Sequence, residues 1–94
     1  LQLKKREAEA LFDKLQLVTQ TSHHKTATLY YEGRAIIRTR ISHGQGDISP
    51  IIVAKMRSQL KVSEQQLRKL IECSMSYEDY IRLLKQKGLI SGNA

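Results

Sequence analysis

The sequence predicts an α+β domain: one helix, a three-stranded antiparallel sheet, then three short helices. Three observations predict it. Residues 25–31 and 35–42 alternate in polarity on either side of a glycine-containing turn, the pattern of a half-buried hairpin. Residues 3–15 place apolar side chains at helical spacing. Ser49, Ser63 and Ser76 each stand just before an apolar-periodic run, where a hydroxyl caps a helix start. Ninety-four residues with 40% hydrophobic content support a single domain, residues 1–94, with a modest core.

In the first helix Ala8, Leu11, Phe12 and Leu15 fall at i, i+3, i+4 and i+7, with the charges on the far side. The β-branched and polar residues that follow make 17–21 the first strand. Ser22-His23-His24 separates it from the second strand, 25–31, and Glu32-Gly33-Arg34 turns into the third, 35–42. In that strand Ala35, Ile37, Thr39 and Ile41 share one face, while Ile36, Arg38, Arg40 and Ser42 share the other. One face suits burial and the other carries charge to solvent.

The loop Gly44-Gln45-Gly46-Asp47 leads to Ser49-Pro50, an N-cap hydroxyl with proline at the first helical position. Val53, Met56 and Leu60, helped by Ile52, line the apolar side of this second helix. Ser63-x-x-Gln66 is a capping box for a third helix, with Leu67, Leu70 and Ile71 as its stripe. Ser76 caps a fourth, whose inner face is Tyr77, Tyr80, Ile81 and Leu84, and Gly88 stands where such a helix ends in a left-handed residue. The two C-terminal stripes are expected to form a helical hairpin docked on the second helix, so that residues 63–94 pack on a core made by residues 1–62.

Charge narrows the function. Sixteen Lys and Arg against nine Asp and Glu give a net charge of +7 and a pI near 9.8, which points to a polyanionic partner, nucleic acid or an acidic protein. No apolar run approaches the ~20 residues that span a bilayer, so no membrane role is expected. A single cysteine, Cys73, forms no intramolecular disulfide. Without an export signal, a reducing cytoplasm is the expected compartment.

Several chemistries can be weighed against these residues. His23 and His24 are adjacent, so on a strand they face opposite ways and do not share a metal ion; neither metal nor cofactor is expected. Cys73, late in an apolar helix, reads as a core thiol. Residues 53–71 resemble a helix-turn-helix, but that motif favours a small residue at the helix crossing and glycine in the turn. Arg57 and Lys61 occupy those positions, so a compact packing unit is the expectation. What remains is histidine beside arginines on a basic sheet. It has two readings: a strand-edge histidine with a structural hydrogen bond, or the minimal kit for metal-free RNA cleavage. In the second, a neutral imidazole takes a proton from a ribose 2′-hydroxyl and guanidinium groups stabilise charge on the phosphate. Arg38, Arg40, Lys25 and Lys55 are the candidate phosphate contacts.

The order of motifs adds a resemblance. Helix, strand, Thr-Ser-His-His, strand, turn, a strand ending in His43-Gly44, and a helix over GDISPIIVAKMRSQLKVS together resemble the HicA family of toxins. The likeness runs from Lys4 to Val62, and residues 63–94 extend beyond it. It implies a double-stranded-RNA-binding-domain-like α-β-β-β-α fold with two additional C-terminal helices, and a metal-independent endoribonuclease that cleaves messenger RNA. The first histidine of the family's Gly-Ser-His-His run is catalytic, which maps to His23, with Ser22 and His24 beside it; Thr21 stands in place of the glycine. A HicB-like antitoxin that covers the active face is the implied protein partner. The alternative is a non-catalytic RNA- or DNA-binding module, either double-stranded-RNA-binding-domain-like or a helix-turn-helix-like regulator.

Overall fold

A computed structural model describes residues 2–42, 46–72 and 74–90. Its elements, in order, are β1 (Leu3–Lys4), α1 (Lys5–Lys14), β2 (Val18–Thr21), β3 (His24–Tyr31), β4 (Arg34–Ser42), β5 (Asp47–Ile48), α2 (Pro50–Leu60), α3 (Glu64–Ile71) and α4 (Tyr77–Gln86). β2, β3 and β4 form one antiparallel sheet in that spatial order. Helices cover one face only. The shortest dimension, 19 Å, is that of a sheet layer with a helix layer on it.

Two features depart from the sequence expectation. The first helix begins at Lys5 rather than Leu3, because Leu3 and Lys4 are extended and pair with Ile48 and Asp47. Leu3 and Ile48 are both buried by this pairing, and the Lys5 amide donates to the Gly46 carbonyl at 2.9 Å. The stretch expected to be a loop before Ser49 therefore ends in a strand that pins the start of α2. The second departure lies in β4. Leu29 pairs with Ile37 but Tyr30 pairs with Ala35, so Ile36 is the extra residue of a bulge. The phase slips there: Ala35 is exposed and Ile36 half-buried, whereas Ile37, Thr39 and Ile41 keep the buried face.

The β3–β4 turn is Glu32-Gly33, with φ of 52° and 81°. A two-residue hairpin loop with positive φ at both positions suits the twist of the strands it joins, and glycine takes the second at no steric cost.

The helix starts follow the serines. The Ser49, Ser63 and Ser76 hydroxyls accept from the amides of Ile52, Gln66 and Asp79 at 3.3, 3.1 and 3.2 Å. Gln66 and Asp79 return the bond to the Ser63 and Ser76 amides. Those bonds to Ser76 hold the Asp79 carboxyl below its ordinary range. α2 and α3 do meet through a tight turn. Lys61 takes the left-handed conformation (φ 64°) that glycine usually supplies, the Val62 amide bonds back to the Arg57 carbonyl, and the Arg57 guanidinium donates to the Val62 carbonyl.

One continuous core takes in Phe12 and Leu15 of the first helix end, Leu29, Ile37 and Ile41 of the sheet, Met56 and Leu60 of α2, and Leu67, Leu70, Tyr80 and Leu84 of α3 and α4. The C-terminal helices are docked: Tyr80 is fully buried and its hydroxyl donates to the Leu60 carbonyl at 2.7 Å, satisfying an acceptor at the end of α2. Lys14 of α1 likewise reaches the Leu70 carbonyl, at 2.7 Å. Among the described residues no helix is long and apolar enough to cross a membrane.

Burial pushes the Tyr80 phenol above its ordinary value of 10.0. The folded chain thus holds this proton after the unfolded chain releases it, so stability is unaffected below about pH 10 and falls as pH rises beyond it. Tyr80→Phe should cost about 1 kcal/mol near neutral pH, through loss of the hydrogen bond, and should make the alkaline decline shallower. Melting both proteins from neutral to strongly alkaline pH checks both signs.

Candidate functional site

Strand alternation divides the sheet's side chains into two sets. Lys25, Ala27 and Leu29 of β3 face the helices with Ile37, Thr39 and Ile41 of β4. The other face carries Val18 and Gln20 of β2, His24, Thr26, Thr28 and Tyr30 of β3, and Arg38, Arg40 and Ser42 of β4. Among the described residues no helix packs on that second face, whose side chains, apart from the buried Thr28, are exposed or half-buried.

β4 is an edge strand, and α2 runs beside its free edge. The Thr39 hydroxyl donates to the Gln59 side-chain carbonyl at 2.7 Å and ties the two together. Where they meet lies a cleft of about 400 Å³, lined by His24, Arg40, Ile41, Ser42, Ile52, Lys55 and Gln59. A second, of about 350 Å³, shares Arg40 and Gln59 with it and adds Thr26, Arg38 and Thr39.

Charge is segregated onto this region. β2, β3, β4 and α2 contain Lys25, Arg34, Arg38, Arg40, Lys55 and Arg57, and no Asp or Glu at all. Two of these cations are engaged elsewhere: Arg57 on the α2 turn, and Lys25 with Glu9 of α1 at 3.1 Å. Arg38, Arg40 and Lys55 have no carboxylate partner among the described residues. Arg38, Arg40 and Lys55, without counter-charge, give this region a positive potential of the kind that suits an anion.

Of the residues singled out from sequence, the structure brings together His24, Arg38, Arg40 and Lys55. Lys25 is turned to the opposite face, half-buried beside α1. Ser22 and His23 form the tip of the β2–β3 hairpin, which closes through the Thr21–Lys25 pair and a bond from the Ser22 amide to the His24 carbonyl at 3.1 Å. His23 is exposed there, next in chain to the cleft residue His24. His43, Gly44 and Cys73 lie outside the described residues. Among those described, no group of three or more His, Cys, Asp or Glu is placed to hold a metal ion.

Thr26, Ile52 and Gln59 join the site beyond the residues that sequence singles out. Two of them carry a signal: Thr26 shares strand phase with His24, and Gln59 stands one helical turn beyond Lys55. No protein-family model, curated protein or solved structure matches the chain.

Arg38→Gln with Arg40→Gln should lower the salt concentration at which the protein elutes from heparin far more than Arg68→Gln with Arg82→Gln. The second pair removes the same charge, from residues already paired with Glu64 and Asp79. Equal shifts would mean that net charge, not this face, governs polyanion binding.

Proposed function

We propose that this chain is a HicA-like endoribonuclease that holds RNA on the open sheet face and cuts it at the β2–β3 hairpin. The single observation that carries the reading is a pair of clefts sharing Arg40, one lined also by His24 and Lys55 and the other by Arg38, with none of these cations paired to a carboxylate among the described residues. The order α1-β2-β3-β4-α2 also supports it, being the α-β-β-β-α layout of double-stranded-RNA-binding-like domains, with α3 and α4 added.

On this reading the His23 imidazole takes the proton of a ribose 2′-hydroxyl. The 2′ oxygen attacks the adjacent phosphorus, the bond to the 5′ oxygen breaks, and His24, in the cleft, gives that oxygen its proton. A 2′,3′-cyclic phosphate and a 5′-hydroxyl result. Arg38, Arg40 and Lys55 stabilise the charge that develops on the phosphate, and Ser42 and Gln59 supply hydrogen bonds at the cleft wall. A HicB-like antitoxin of acidic surface would inhibit by covering the same face.

His23→Gln should slow cleavage of a labelled RNA about 10²- to 10⁴-fold while leaving RNA affinity within a few-fold. Activity should persist in EDTA. The Arg38→Gln, Arg40→Gln variant should weaken binding and flatten its salt dependence by about 0.7 for each phosphate no longer neutralised. Equal cutting by wild type and His23→Gln, in nuclease-free preparations, rejects His23 as the base. Intact RNA held tightly in a salt-dependent complex supports a binding module that does not cut; exposure of His23 at the hairpin tip, with no described hydrogen-bond partner to orient its ring, favours that second reading.

A further inference from the structure

One side chain on the open face is unlike the rest. Tyr30 is 49% exposed, although Leu29 beside it is buried. It lies on the same face of β3 as His24, Thr26 and Thr28. Val18, 51% exposed, pairs with Thr28 from β2, and Arg38 pairs with Thr28 from β4. Tyr30 is therefore diagonal to an apolar side chain on one side and a guanidinium on the other. Its direct partner, Ala35, is brought to the surface by the bulge at Ile36 and is too small to cover the ring. The neighbouring Tyr31 is half-buried under Lys85 of α4, whose ammonium lies 5.7 Å from the ring centre, so it is not part of this surface.

From His24 to Tyr30 is six residues of strand, ~20 Å. Along that line the face runs from the histidine end of the cleft, past Arg40 and Arg38, to an open aromatic ring. A cationic track that ends on an exposed aromatic ring is what single-stranded nucleic acid uses: phosphates along the charges, an unstacked base on the ring. A duplex hides its base faces and gains nothing from such a ring. Resting on the RNA reading above, we propose that the substrate is single-stranded RNA and that Tyr30 is a base-stacking subsite a few nucleotides from the His24 end of the cleft.

The probe is an oligouridylate with 2′-O-methyl groups, which removes the 2′ nucleophile and lets binding be read without cutting. Tyr30→Ala should weaken its binding about 5- to 150-fold, the worth of one base–aromatic stack, with an unchanged salt slope; Tyr30→Phe should bind like wild type. Because the chain has no tryptophan, Tyr30→Trp adds a single reporter whose emission should be quenched on binding. Binding of a 2′-O-methyl duplex should not depend on residue 30. Equal single-strand affinity in wild type and Tyr30→Ala overturns the stacking subsite, leaving the cationic face standing if both bind in a salt-dependent way, and marks the exposed ring as a protein-contact residue instead. An equal loss on duplex overturns the single-strand assignment. Failure of the wild type to bind either probe at low salt overturns the RNA reading and this inference with it.

Discussion

Burial of one face of β4 fixes everything that follows. Ile37, Thr39 and Ile41 are each 3% exposed or less, and the strand's period of two then commits Arg38 and Arg40 to the opposite side. A slip of one residue would drive both guanidinium groups into the core beside Leu29 and Met56, so the register has little freedom. The hydrogen bond from Thr39 to Gln59 adds the second constraint, because it sets α2 along the strand's free edge. Lys55, one turn before Gln59, is thereby carried to the arginines by the helix backbone.

The acidic residues show how uneven this arrangement is. Glu9, Glu64 and Asp79 each neutralise a cation, Lys25, Arg68 and Arg82 in turn, and all three pairs lie away from the open face. These pairs are partly or fully exposed and add little stability, but two of them neutralise helix cations, and Lys25, the sheet cation of the third, faces away from Arg38 and Arg40. An edge strand rich in arginine also resists strand-to-strand association with another molecule. The same charge that gives the face its positive potential thus protects the edge.

Elements governed by neighbours in sequence are legible in it. Ser49, Ser63 and Ser76 cap the helices their positions announce, and Gly88 adopts the left-handed conformation that ends α4. Elements governed by distant partners are not. Two-residue strands such as Leu3–Lys4 and Asp47–Ile48 have no periodicity to detect and are defined by pairing with each other, while Leu3 and Ile48 both join the core. The bulge at Ile36 is likewise set by how Leu29 and Tyr30 pair across the hairpin, so alternation gives the third strand's face correctly from Ile37 onward and wrongly at Ala35. In the candidate site, Arg38 and Arg40 follow from alternation. Lys25 has the charge of a phosphate ligand, but its phase, shared with Ala27 and Leu29, points it at α1. Lys61 shows the converse: a residue that argues against a tight turn is held in one when packing on both sides demands it.

If RNA sits on the open face of β3 and β4, with the exposed edge of α2, amide shift mapping by NMR during titration with a non-cleavable single-stranded RNA will show it most directly. The changes should fall on the hairpin tip at Ser22 and His23, on alternate residues of β3 and β4, and around Lys55 and Gln59, and should fade as salt is raised. Shifts centred on α3 and α4 instead, with the sheet unmoved, would contradict it.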